Sequence, residues 1–470
     1  MGHFISITAQ RFTNVHRHER LSLRGSARLK RNTVPSIRPP RWGVAERRHR
    51  SPVLITTALR DCQSPAPPAG IPEQILHRRL MVVSSTVPLL ILGASARGAA
   101  QSACRAGFRP LCVDAYADRD LRELTPVHSW PDSPGQLVPW LKTLPQVPWI
   151  YTGGGENRPG LVGCLARRQP LLGCGARVLR RARDPFAVAE LLARFRIQTL
   201  PVCPPRAPPP ADGQWLVKPR RGSGGRGVVF WGPPHKPLPR EPYYFQRWVG
   251  GEDFSGLFLA HADRTELLGT TRQWSGRVAG TALLHAWHGN LVGETPSPSV
   301  LQHLHSLGAV LAEQLELRGL FGCDFRLEGE TPWLLEINPR YTASVELFEW
   351  ILRRPLLREH ASACGYPGEL PPLPSDIDRE MHCSSAQRPR FVAKRIVYAN
   401  EPGVAEFPPD LPRWRLGFTP AVYSDIPVAG QPLRPGDPVC TVLAGGASPE
   451  DCLQTLDLRE AEVRRWIRTP

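Results

Sequence analysis

The chain has 470 residues, 59 Lys and Arg against 42 Asp and Glu, and a formal net charge of +17. The charge is uneven: residues 1–80 hold 15 basic residues and four acids (Glu19, Glu46, Asp61, Glu73), a net of +11, which leaves +6 on the other 390 residues. So mild a balance argues against a nucleic-acid-binding core, no run of 18 or more apolar residues exists to predict a transmembrane helix, and eleven scattered cysteines without a Cys-x-x-Cys predict a reduced, cytoplasmic protein rather than a zinc clamp or redox pair.

In chain order, residues 1–80 read as a Pro-, Arg- and Ser-rich leader. It has no sustained apolar period, cannot bury much of itself and is predicted to be disordered. It suits a nucleic-acid arm, a transit-like peptide or sequence upstream of the working start. Met81 stands directly before the first predicted strand and favours the last reading. Residues 87–92 read as a buried strand, 93–98 as a turn into a helix that runs to Ala106, and 111–113 as a second strand ending at Asp114. The glycine spacing is not Gly-x-Gly-x-x-Gly, so a Rossmann-like shape is predicted over 81–180 without a dinucleotide fingerprint. After a further strand, Tyr151-Thr152-Gly153-Gly154-Gly155-Glu156-Asn157 offers backbone donors and Glu156 as substrate contacts. Asp184 caps a helix reaching Arg194, with Pro185 in its first turn. Residues 201–213 read as a proline-rich connector.

Next comes Trp215-Leu216-Val217-Lys218, a strand, and then Gly222-Ser223-Gly224-Gly225-Arg226-Gly227. Glycine lets backbone N–H groups approach a phosphate closely, and Lys218 adds a point charge. No Gly-Lys-Ser/Thr closes this loop, so it is not a Walker A loop. Gln246-Arg247-Trp248-Val249-Gly250-Gly251-Glu252-Asp253 follows, a connector whose free backbone groups can read an adenine edge, with an acid for ribose hydroxyls. Residues 299–315 predict an amphipathic helix. Then Asp324, a turn at Glu328-Gly329-Glu330, and Glu336-Ile337-Asn338-Pro339-Arg340 predict a hairpin. Side chains two apart on a strand share a face, so Glu336 and Asn338 lie together and folding about the turn sets Asp324 nearly opposite Glu336. These oxygen donors suit a hard divalent cation, and Arg340 can reach a phosphate beside it. From about Phe391 the chain is β-rich, ending in a helix over 449–466.

The order of these elements resembles the ATP-grasp superfamily of carboxylate–amine ligases. The finer pattern of Thr271-Arg272-Gln273-Trp274 and the tail with Asp425-Ile426-Pro427 and Gly436-Asp437-Pro438 is similar to carboligase-like relatives of biotin carboxylase, a subgroup that includes tyramine–glutamate ligase. The resemblance implies an α/β and α+β fold: a Rossmann-like pre-ATP-grasp domain over 81–180, an ATP-grasp fold of two α+β subdomains over 181–355, and a small β-rich C-terminal domain over 356–470. It implies that Lys218 and the loop of Gly222, Ser223, Gly224, Gly225 and Gly227 hold the ATP phosphates. Gln246, where many members have Glu, would bind adenine with Arg247, Trp248 and Val249. Glu252 would bind ribose, with Asp253 as the alternative position. Asp324, Glu336 and Asn338 would hold Mg²⁺ (or Mn²⁺), with Arg340 on the transferring phosphoryl group. Arg272, on a strand between hinge and hairpin, is expected to hold an oxyanion of the second substrate as a bidentate fork. The implied reaction activates a carboxylate as an acyl phosphate for attack by an amine, with ADP and phosphate released. A non-catalytic ATP-binding protein, or a carboxylase component working with a separate biotin carrier, remains the alternative. A homodimer is also expected.

Overall fold

The structure, a computed structural model, describes residues 87–130, 137–233, 238, 242–279, 281, 283–382 and 389–468. The predicted leader over 1–80 and Met81 lie outside these residues. In the N-terminal part, β1 (Pro88–Gly93), β2 (Arg109–Asp114), β3 (Val127–Ser129) and β4 (Trp149–Tyr151) form a parallel sheet in the order β3-β2-β1-β4. The run of apolar residues in β1 suits a parallel strand covered on both faces, and Leu89, Leu90 and Ile91 are fully buried. Helices α1 (Arg97–Arg105), α2 (Arg119–Leu124) and α3 (Leu137–Thr143) connect the strands. Asp114 accepts from the backbone N–H groups of Ala96 at 2.5 Å, Tyr116 at 2.8 Å and Ala117 at 2.6 Å. The acid that ends β2 therefore ties two loops together, where a dinucleotide site would need it for ribose.

Helices α4 (Pro159–Ala166), α5 (Ala176–Ala182) and α6 (Pro185–Arg194) lead into two antiparallel sheets. Asp184 caps α6 as predicted, accepting from Phe186 N–H at 3.0 Å. The smaller sheet contains β5 (Val202–Cys203), β6 (Trp215–Pro219), β7 (Val229–Trp231) and β8 (Tyr243–Arg247) in the order β5-β8-β6-β7. The predicted connector over 201–213 thus supplies an edge strand, Val202 pairing with Gln246.

The larger sheet begins with β9 (Glu252–Ala260), β10 (Thr265–Gly276), β11 (Ala286–Val292), β12 (Gly319–Glu328) and β13 (Thr331–Asn338). Helix α7 (Pro298–Leu315) covers one face with Val300, Leu304, Leu307, Leu311 and Leu315, a helical repeat of buried positions. Beneath it Phe258 and Phe321 stack at 4.9 Å. Helices α8 (Val345–Leu352), α9 (Leu356–Ala363) and α10 (Ser375–Met381) contribute Trp350, Leu356, Leu357 and Ile377 to the other core cluster.

The segment after α10 was expected to stand apart as a small domain. Instead β14 (Phe391–Tyr398) pairs with β11, and β16 (Tyr423–Ser424) and β18 (Pro438–Gly446) follow, giving the order β13-β12-β9-β10-β11-β14-β18-β16. The edge of β11 carries unpaired backbone groups that β14 satisfies. Strands β15 (Gly403–Ala405), β17 (Pro432–Leu433) and β19 (Ile467–Arg468) make a three-stranded sheet, and α11 (Pro449–Arg465) packs on β18. A buried charge network joins α1 to α8 and the C-terminal strands: Lys394 to Glu346 at 2.8 Å, Glu346 to Arg97, and Arg97 to Asp425 at 3.0 Å. Cys104, Cys112 and Cys323 are buried, and Cys164 only partly. No helix among the described residues is long and apolar enough to cross a membrane.

Candidate active site

The β12–β13 hairpin turns at Gly329, whose φ of +60° a residue with a Cβ adopts at a cost. Asp324 is the register partner of Glu336, where the turn alone would pair it with Leu335. Phe325 pairs with Leu334, so Leu335 is an extra residue between the two pairs, a β-bulge. The Leu335 carbonyl accepts from Lys218 Nζ at 3.5 Å and from Gln246 Nε2 at 3.4 Å. Cys323, Phe325 and Ile337 point into the core, and Asp324, Glu336 and Asn338 line a cavity.

Across that cavity stands the smaller sheet. Trp215, Val217 and Phe245 make its core, so the alternating residues Leu216, Lys218, Tyr244 and Gln246 face the cavity. Lys218 Nζ donates to Gln246 Oε1 at 2.9 Å. The glycine-rich loop after β6 reaches over to the larger sheet: a Cβ on Gly225 would sit 1.6 Å from the His285 carbonyl oxygen, so only glycine permits this approach. The cleft has a volume of ≈ 330 Å³, within the usual range of roughly 300–1,000 Å³ for small-molecule sites.

The surroundings push the two carboxylates in opposite directions. Burial and then the Glu336 charge push Asp324 up to about 7, although Gln273 Nε2 donates to its Oδ1 at 2.9 Å. Burial also pushes Glu336 up, but the Arg183 and Lys218 charges outweigh it and hold the group at about 2. Asn338 Nδ2 donates to Asp324 Oδ2 at 2.8 Å, and Asn338 Oδ1 accepts from Arg340 Nη2 at 3.1 Å. Two adjacent carboxylates and an amide oxygen are the hard donors that Mg²⁺ or Mn²⁺ takes. Among the described residues no group of three or more His, Cys, Asp or Glu is gathered for a metal, so the set has room for few protein ligands and suits a cation that shares its shell with phosphate oxygens.

A lysine beside a glycine-rich loop, facing this hairpin across a cleft between two antiparallel sheets, is an arrangement of known type, and residues 190–344 match the ATP-grasp domain family. The chain carries an ATP-grasp domain. No curated protein matches the sequence. Among solved structures, carboxyaminoimidazole ribonucleotide synthase from Aspergillus clavatus, complexed with ATP, is similar at TM-score 0.56 and 13% identity, over 81% of this chain and 99% of that one. The biotin carboxylase domain of 2-oxoglutarate carboxylase from Hydrogenobacter thermophilus, solved with MgADP, ADP and bicarbonate, is similar at TM-score 0.56 and 10% identity, over 81% and 90%. A single-chain, multi-domain long-chain acyl-CoA carboxylase gives TM-score 0.55 and 14% identity over 80% of this chain, which spans 39% of that protein. At such identities the likeness is one of fold.

Within the ATP-grasp cleft the structure gathers Lys218, residues 222–225, residues 246–249, Asp324, Glu336, Asn338 and Arg340. Four predicted residues lie elsewhere. Gly227 closes the loop against Pro219. Glu252 faces away from the cavity, because strand alternation brings its neighbour Asp253 inward. Arg272, expected on substrate, is paired with Glu294 at 2.7 Å and Glu252 at 3.9 Å outside the cavity, and Gln273 takes the inward place. Glu156, also expected on substrate, is 2% exposed and lies 2.9 Å from Arg340 Nε. Sequence reasoning missed Arg183, Gln273 and Asn290. Gln273 was reachable by asking which of two neighbouring strand residues shares the face of Ser255, whereas nothing local marks Arg183.

Proposed function

We propose that the chain is an ATP- and Mg²⁺-dependent ligase that activates a carboxylate as an acyl phosphate and joins it to an amine. The observation that carries the reading is the convergence of Lys218, the glycine-rich loop, Arg340 and the Asp324–Glu336–Asn338 set on one cleft. Apolar Val202, Leu216 and Leu334, with the backbone of residues 247–249, provide an adenine pocket, and Asp253 serves the ribose. Lys218 and the loop N–H groups hold the phosphates. Asp324, Glu336 and Asn338 would hold a divalent cation, which would supply charge neutralisation at the phosphates. Arg340, steadied by buried Glu156 and by Asn338, meets the charge that develops on the transferring group.

The substrate carboxylate oxygen attacks the γ-phosphorus, the bond to the bridging oxygen breaks and ADP leaves. The amine nitrogen then attacks the acyl carbon, the C–O bond to phosphate breaks, and the amine proton passes to the departing phosphate or to water. No protein nucleophile is required, and positioning with charge stabilisation supplies the rate. The test is ADP release by the full chain with Mg²⁺ across a panel of acids, bicarbonate included, with and without amines. Release that needs both an acid and an amine supports the ligase. Release with bicarbonate alone points to a carboxylase component, and ATP binding without substrate-dependent release to a non-catalytic protein.

A further inference from the structure

Arg183 belongs to none of the motifs, yet it touches three parts of the cleft at once. It is the C-terminal cap of α5, with a side chain 12% exposed. Its Nη1 donates to Glu336 Oε2 at 3.1 Å and to the Ile337 carbonyl at 3.3 Å. Its Nη2 donates to the Gly222 carbonyl at 3.0 Å and to Asn157 Oδ1 at 3.2 Å. Those acceptors come from the cation hairpin, from the first residue of the glycine-rich loop and from the loop after β4. Asn157 Nδ2 reaches the same Gly222 carbonyl at 3.3 Å, so the base of the loop is gripped from two sides.

Only a planar guanidinium spans such a set; an ammonium is a single compact charge that satisfies one side of it. The loop is held at its tip as well, where Gly225 lies against the His285 carbonyl. A positive charge 3.1 Å from a carboxylate oxygen also opposes a second cation at the same carboxylate. We propose that Arg183 is a positioning residue that yokes the cation set to the base of the glycine-rich loop, competing with the cation for Glu336 while it pins Gly222. Cation arrival at Glu336 and the seating of the loop over the phosphates are then linked events. The inference rests on the reading of Asp324, Glu336 and Asn338 as cation ligands.

Two variants of the full chain separate charge from reach. Arg183→Gln removes the charge, and Arg183→Lys keeps it but loses the fork. Each is read by calorimetric titration with Mn²⁺ alone and by mass-spectrometric mapping of tryptic cuts after Arg221 and Arg226. Arg183→Gln should bind Mn²⁺ several-fold more tightly than wild type and be cut faster in the loop. Arg183→Lys should bind Mn²⁺ as wild type does and also be cut faster. Wild-type cleavage rates in Arg183→Lys, or unchanged or weaker Mn²⁺ binding in Arg183→Gln, overturn the proposal. A wild type that binds no Mn²⁺ overturns the cation reading and this inference with it, whereas Mn²⁺ binding with unaltered variants overturns this inference alone.

Discussion

The two sheets that face each other across the cleft are built to different standards. The smaller one has a core of three buried side chains, Trp215, Val217 and Phe245, behind its cleft face. The larger is packed on both faces, with Phe258, Phe321 and Leu304 on one side and Leu257, Leu320 and Trp350 on the other. The predicted cation ligands stand on the well-packed sheet, while the lysine and the glycine-rich loop belong to the thin one. A cation site needs donors held within tenths of an ångström, and packing supplies that rigidity. A phosphate-covering loop needs to admit and release its ligand, and elements with few buried contacts open at the lowest cost.

The sharpest test of that division is Glu336→Ala, which should lower kcat for ADP release by about 100-fold or more while the chain stays folded by circular dichroism. Wild-type turnover would place the chemistry elsewhere than on the larger sheet. A matched pair of core truncations compares the sheets directly. Phe321→Ala should cost about 3–5 kcal/mol of global stability in urea. Phe245→Ala should instead act locally: amides of residues 215–218 and 243–247 lose hydrogen-exchange protection while those of 319–328 keep it. Equal global losses would show that the two sheets unfold together.

Lys218→Ala should weaken ATP binding by about 1.5–3 kcal/mol in calorimetry, the worth of a hydrogen bond to a charged group. The smallest effect is an acid one. Burial lowers His360 from 6.5 to about 4, against the opposing pull of the Leu172 carbonyl, and its Nδ1 accepts from the Leu320 N–H of β12 at 2.8 Å. Between those values the unfolded chain binds a proton that the folded chain refuses. Stability is therefore intact above pH 6.5 and falls as pH drops toward 4, by at most about 1.4 kcal/mol per unit. His360→Asn should flatten that slope in urea titrations at pH 4.5 and 6.5, and an unchanged slope would assign it to other groups.

Much of the site was legible because its parts are local. The turn at Gly329 and the period of two were readable, but by themselves they set Asp324 against Leu335, and only the bulge at Leu335 brings Glu336 opposite it. Lys218 and its loop follow from one strand end and a cluster of glycines. Where the reading went astray, a face or a partner decided the matter. Glu252 and Asp253 are adjacent acids, and only the pairing of β9 with β10 and β12 settles which looks inward. The C-terminal strands look like any other β-rich segment until the free edge of β11 meets them.

Composition, strand period, turn chemistry and motif order were thus enough for the kind of fold and for which short segments face the cleft, because each depends on residues a few places apart. The partners of those segments were beyond their reach. Arg183 finds Glu336 across 153 positions, and Arg340 finds Glu156 across the boundary between two parts of the chain. Such pairs form only when packing has already brought their backbones together, and the same packing makes Arg272 a structural ion pair and Glu156 a buried brace. An arginine or a glutamate carries no local mark of the partner it will meet, because burial and a counter-charge are properties of the folded chain.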